Sequence, residues 1–412
     1  MRYCTKQKKQ EEIGYFQRMP DLETFLATKP LFYTKIDYTR MPRTWKSIVQ
    51  HFKLPKIIHI VGTNGKGSTG RFLAHYLYKS GFSVGHYSSP HILRFNERIW
   101  LDGADVCDSE LSLYHDRLYH LLSPAFRESL SFFEYTTLLA IALFESCDYV
   151  VLEAGLGGEH DATSVFANIL TLVTPIDIDH CDFLGNSIDA IANTKLAAIQ
   201  KSAILATQKH PEVYQASQKL RIRKDIDIFR TEQFFTQEEL LMIASFLKAK
   251  HFPSFLENNL ALALGAVKFL GFSLEMENLE GIALFGRCEK IASNITIDVG
   301  HNALAAMALA DVFKDKKIHL IFNSFSDKDY AQTLEILKPA IQIIEILPIL
   351  NERIEKKEHL IKVIEELGIP YKDFERLDDS QEYLVFGSFS VVEAFLKQYG
   401  KTKKSKISDK ST

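Results

Sequence analysis

From residue 57 onward, short apolar runs alternate with segments of helical spacing, and this alternation restricts the fold more than any other feature of the chain. Residues 57–62, 82–89, 149–155, 169–176 and 202–207 read as strands. Between them, 68–80, 111–123, 132–146 and 187–200 carry apolar residues three and four apart, the period of a helix with one buried face. Strands joined through helices form a mostly parallel sheet covered on both sides. A helix over 257–271 closes at Gly271. A second series then begins, with strands at 291–300, 317–325, 341–349 and 383–389 and helices at 302–314, 330–340, 359–368 and 390–400. The segment 208–245 is mixed and rich in charge, and no elements are assigned to it. The expected architecture is α/β: a P-loop-type, mostly parallel sheet in an N-terminal domain (1–285) and a smaller Rossmann-like α/β C-terminal domain (286–398). The domain junction is expected between Gly281 and Arg287, and the lysine-rich tail 399–412 is expected to be disordered.

With 412 residues, two or three such domains can each have a core. The net charge of −3 provides no overall basic field for nucleic acid or a membrane surface. No apolar run reaches the roughly 18 residues of a membrane span, and residues 1–16 lack the apolar core of a secretory signal. The five cysteines are scattered without C-x-x-C spacing, against both a disulfide framework and a zinc site. A monomer in the reducing cytoplasm is the expectation.

The stretch "IIHIVGTNGKGST" (57–69) joins the first strand to the first helix. A glycine loop in that place holds phosphates with backbone N–H groups at a helix N-terminus. The run is not a standard Walker A, because Ile60 stands where its first glycine belongs and Gly67 separates Lys66 from Ser68. Gly62, Thr63, Asn64, Gly65, Lys66, Gly67 and Ser68 are the candidate nucleotide loop, with Lys66 neutralising phosphate and Ser68 within reach of Mg²⁺. The plain alternative is a glycine-rich turn with a hydroxyl cap, but a lysine between two glycines suits phosphate better.

Further polar groups follow other strands. Glu153, with Asp161 beyond it, follows the strand at 149–155, where ligands bind in parallel sheets and a carboxylate suits Mg²⁺. Asp177, Asp179 and His180 stand at the same edge, as a metal or phosphate site or as a surface turn. Ser89, His91, Arg94, Glu97 and Arg98 form a polar stretch at 88–99. Asp298, His301 and Asn302 follow a strand of the second series, and Arg287 sits at the junction, where it could reach a phosphate from the far side. Lys195, read alone, is a solvated helix lysine.

Taken together and in order, these stretches resemble the folylpolyglutamate synthase/dihydrofolate synthase family of the Mur-ligase superfamily. The family's G-T-N-G-K-G-S is Gly62–Ser68 unaltered, and "SPHILRFNERI", "EAGLGGEHDATS", "IDHCDFLG", "FGRCE", "DVGHNA", "SDKDY" and "LVFGSF" follow collinearly over about residues 22–398. The resemblance implies an ATP-dependent ligase that adds L-glutamate to a dihydropteroate or reduced-folate carboxylate through an acyl phosphate, with ATP and Mg²⁺. It implies that Lys66 and Ser68 bind ATP phosphates and that Ser68, Ser89, Glu153 and His180 hold the metal. It also implies that Lys195, which aligns with a lysine carbamylated in relatives, joins Lys66 and His180 as a catalytic residue. Asn259 and Arg287 reach ATP, with Asp298 and His301 supplied by the second domain. Residues 29–42 occupy the pterin-side loop. The chain departs from the pattern at Glu159, Ser164, Thr194 and Ala303. Another Mur-type amide ligase is disfavoured by G-K-G-S in place of G-K-T-T. An inactive nucleotide-binding homologue is disfavoured by intact Lys66, Glu153 and His180.

Overall fold

The computed structural model describes residues 19–30, 37–179 and 181–408. Its first sheet has eight strands: β1 Lys56–Val61, β2 Val84–Tyr87, β3 Ile99–Leu101, β4 Ala104–Asp105, β5 Tyr149–Glu153, β6 Leu170–Val173, β7 Ser202–Leu205 and β8 Asp227–Arg230. Their spatial order is β4-β3-β2-β5-β1-β6-β7-β8. The six strands from β2 to β8 run parallel, and β3 and β4 add an antiparallel edge.

The central strand β1, "KIIHIV", is buried at every residue after Lys56, as expected of a strand covered on both faces. Its alternate residues feed opposite layers. Ile58 and Ile60 pack with Phe72, Leu73, Leu260 and Leu264, whereas Ile57 packs with Tyr135, Leu138 and Leu139. The chain passes from β1 to one side of the sheet and later crosses to β6 on the other. The crevice beyond the carboxyl ends of such strands is where open α/β sheets bind ligands. The candidate residues of the first domain follow β1, β2, β5 and β6, at that one edge.

The second sheet comprises β9 Glu289–Ala292, β10 Ile295–Ile297, β11 Ile318–Phe322, β12 Ile341–Ile346, β13 Tyr371–Asp373 and β14 Tyr383–Phe386, in the order β13-β12-β11-β14-β10-β9. All are parallel except β9.

Two expectations are corrected, and the segment left unassigned is resolved. The single strand expected at 291–300 is an antiparallel hairpin that turns at Ser293–Asn294, polar residues that favour a turn over a continued ladder. The tail expected to begin at 399 is helical to Ser408 in the helix Phe389–Ser408. One glycine costs a helix only about 1 kcal/mol, and the lysines after Gly400 are good helix formers. The unassigned segment holds the helices Pro211–Lys224 and Gln237–Ala249 around β8. The second has a legible start, since Thr236 and Glu239 form a reciprocal capping box.

Candidate active site

β1 ends at Val61, and the helix Lys66–Lys79 begins five residues later. Gly65 caps that helix with φ +87°, a left-handed conformation that L side chains avoid. A Cβ there would lie 2.3 Å from Asn259 Oδ1. Asn259 Nδ2 donates to Ser68 Oγ (2.9 Å), and Ser68 Oγ donates to Gly65 O (3.1 Å). The loop is thus closed onto the helix Glu257–Phe269. Gly65→Ala is expected to displace Asn259 and weaken ADP binding at least tenfold, as measured by calorimetry. Lys66 Nζ donates back to Gly62 O (3.2 Å) and Thr63 O (3.1 Å), so the loop carries its own cation.

Ser68, Ser89, Glu153 and Arg287 line one cavity of about 120 Å³ beside Gly67. Gly67 is the meeting point, since a Cβ there would stand 3.4 Å from Arg287 Nη2 and 3.5 Å from Glu153 Oε2. Glu153 is buried, and its Oε2 accepts from Ser89 N (3.2 Å). Burial pushes its carboxyl above the usual range, opposed by the charges of Lys66 and Arg287. A buried carboxylate beside two serine hydroxyls is an all-oxygen donor set, which fits Mg²⁺ with its few protein ligands and retained waters. No cluster of three His, Cys, Asp or Glu side chains occurs among the described residues, so the described donors fit a hard ion shared with phosphate oxygens rather than a closed protein cage.

Lys195 overturns the reading it invites alone. It is buried, and its Nζ donates to Gly62 O at 2.9 Å, reaching the phosphate loop from the helix Ile188–Leu196. Burial, reinforced by Lys66, pulls its pKa down to about 7. Gly158 lets that helix approach, since a Cβ there would meet Thr194 O at 2.4 Å.

The second sheet contributes from β10 and β11. Asp298 is buried and accepts from Gly300 N and Cys288 N. Burial raises its pKa, with Arg287 opposing. Asn64 and Asn302 exchange two amide hydrogen bonds (2.9 and 3.0 Å), so the phosphate loop touches the residue that caps the helix Ala303–Val312. Beside them, Lys328 Nζ meets Asp179 Oδ1 at 2.7 Å with both side chains about one-tenth exposed. His301 Nε2 stands 4.0 Å from Asp179 Oδ2, and burial, with Lys328, lowers the imidazole pKa. Lys328 lies in the "SDKDY" stretch, but no spacing rule singled it out. Its role follows only from the packing of the two sheets. Lys328→Ala withdraws a buried cation from Asp179 and is expected to cost about 3–5 kcal/mol, read as a lowered denaturation midpoint.

Other candidates serve structure. His91 accepts from Arg98 Nε (2.8 Å). Asp161 caps its own turn, accepting from Leu156 N and Thr163 N. Asp177 Oδ1 pairs with His210 Nε2 at 3.0 Å. Glu159 is exposed. His180 lies outside the described residues, as do residues 31–36 of the pterin-side stretch.

A glycine loop at the turning point of one parallel sheet, with a carboxylate and hydroxyls beside it and an α/β partner sheet packed on it, defines a two-domain protein with a nucleotide-phosphate site between its sheets. No protein-family profile matches the chain. A dihydrofolate synthase/folylpolyglutamate synthase of Haemophilus influenzae is 32% identical over 339 residues, 72% of this chain and 76% of that protein. The crystal structure of Helicobacter pylori folylpolyglutamate synthetase is 40% identical with a TM-score of 0.76, covering 92% of this chain and 98% of that one. A bifunctional folylpolyglutamate synthase/dihydrofolate synthase solved with Mn, AMPPNP and L-glutamate shares the fold at 24% identity and a TM-score of 0.78, covering 94% and 100%. The chain belongs to the dihydrofolate synthase/folylpolyglutamate synthase family. It is an ATP-dependent ligase.

Proposed function

We propose that the protein joins L-glutamate to the carboxylate of dihydropteroate or of a reduced folate. The observation that carries this reading is the cavity at Gly67, where Ser68, Ser89 and Glu153 face Arg287. The substrate carboxylate oxygen attacks the γ-phosphorus of ATP, the bond to the β-phosphate oxygen breaks, and ADP leaves. The glutamate nitrogen then attacks the acyl carbon, sheds a proton as the amide forms, and phosphate departs with the carbon–oxygen bonding pair.

Two anions meet in the first step, so positive charge at the loop decides the rate. Lys66, resting on loop carbonyls, is the cation that turns to the phosphates. Ser68, Ser89, Glu153 and His180 would hold a divalent ion, which would supply further neutralisation. Asn259 and Arg287 hold the nucleotide, and Asp298, facing Arg287 from the second sheet, orients that guanidinium. Lys195, with a pKa near 7, keeps a neutral fraction of amine that adds CO₂ and sheds a proton as it becomes a carboxylate-like carbamate beside the loop. The contact of Asn64 with Asn302 keeps water from an acyl phosphate while the second domain, 286–398, is closed. The domain junction serves as the hinge near Arg287, His301 completes the second domain's side of the site, and residues 29–42 form the pterin side. Among the described residues no helix is long and apolar enough to cross a membrane, and a cytoplasmic monomer is the working form proposed.

The test is phosphate release with ATP, Mg²⁺ and L-glutamate, comparing dihydropteroate with tetrahydrofolate. Turnover with either acceptor that requires glutamate supports the reading. Turnover with neither would sink it.

A further inference from the structure

Beside the proposed metal donors, the cavity at Gly67 is also lined by Arg71, one helical turn beyond Ser68, and by His86 and Ser88. His86 packs on the Arg71 helix, where a Cβ on Gly70 would lie 2.4 Å from its Nε2. Two features of these residues are unexplained by anything within the protein. His86 is 1% exposed, and both its ring nitrogens lack a hydrogen-bond partner. Arg71 makes no hydrogen bond or ion pair with any described residue. Its guanidinium lies over the Trp100 ring, 4.9 Å from the centroid, with the charge of Asp105 nearby. Burial lowers the Arg71 pKa only to about 10, leaving it charged, and holds His86 well below its usual value and neutral. Buried polar groups without partners are rare and costly, and guanidinium donors aimed into a cavity ask for an oxyanion.

Three carboxylates also line the space. The Glu97 carboxylate is engaged by three backbone donors, from Ile92, Leu93 and Arg94. Asp105 is exposed at the rim, and Glu153 faces the metal side. This part of the cavity therefore keeps unspent donors from Arg71, the Ser88 hydroxyl and the unpartnered imidazole of His86. Hydrogenphosphate accepts and donates hydrogen bonds, whereas a carboxylate only accepts.

We infer that this recess is a holding site for inorganic orthophosphate, the product released by amide formation, bound between Arg71 and His86 behind the metal donors. The inference rests on the proposed ligase reading, because that reaction frees phosphate at the cavity mouth. Phosphate that moves inward clears the acyl carbon while the amide is still in place. It leaves only after the second domain opens, so Arg71 governs product release.

The test is calorimetric titration of sodium phosphate into the full-length protein saturated with ADP and Mg²⁺, which occupies the loop and requires no turnover. Its result is therefore independent of the acceptor assay above. Arg71→Met is expected to weaken phosphate binding at least tenfold and His86→Val about threefold, with ADP affinity held within twofold and an unchanged denaturation midpoint. If Arg71→Met does not fold, the His86→Val arm decides. Unchanged phosphate affinity in the variants overturns the inference. A loss of L-glutamate binding in Arg71→Met with phosphate binding retained also overturns it, and makes the recess a carboxylate subsite.

Discussion

Replacing Lys66 by alanine is expected to lower ATP-dependent phosphate release about 10²–10³-fold, the cost of removing one preorganised electrostatic group from a transition state. The lysine stands between two glycines and returns its ammonium to the carbonyls of Gly62 and Thr63. Alanine deletes that charge and keeps a good helix former at the first position of the helix Lys66–Lys79. The measurement is kcat and KM for ATP in the variant and the wild type. A fall in kcat with ADP affinity nearly kept would place Lys66 on the transferring phosphoryl group. A rise in KM alone would reduce it to a binding residue.

Lys195→Ala is expected to produce a comparable loss, and one that bicarbonate and acidity control in the wild type. A neutral amine is required for attack on CO₂, and with a pKa of about 7 roughly half the Lys195 amines are neutral at pH 7. At fixed CO₂ pressure, activity should therefore climb from pH 6 to 8 in the wild type. It should fall on removal of CO₂, and partly return to Lys195→Ala with added short-chain carboxylic acids. Activity indifferent to CO₂ would refute the carbamate. The same depressed pKa fixes a stability trend in CO₂-free buffer. Between pH 7 and the ordinary lysine value of 10.5, the unfolded chain carries the proton that the folded chain has shed, so stability rises with pH across that window. Lys195→Met should flatten the rise.

Much of this was legible in the sequence because its signals are local. The loop Gly62–Ser68 and Glu153 each follow a recognisable strand, and parallel strands deliver them to one edge without further information. Lys195 was legible only through resemblance, since its burial depends on Gly158 admitting the helix from another part of the chain. Lys328, Arg71 and His86 were not legible. A lysine in a turn, an arginine on a helix and a histidine in a strand look ordinary until the fold closes around them. The hairpin at Ser293–Asn294 was missed because two short strands with a two-residue turn look like one long strand in an apolar count.

The pairing of Asn64 with Asn302 has a consequence for how the two domains respond to salt. Two carboxamides that exchange donor for acceptor carry no net charge, so dissolved ions have nothing to screen between them. The neighbouring Lys328–Asp179 pair is charged but nearly buried, and buried pairs are screened far less than surface ones. The contact over the phosphate loop should therefore persist from dilute buffer to molar salt. Any ionic-strength dependence of turnover would then report the approach of anionic substrates to the cleft rather than the closing of the domains.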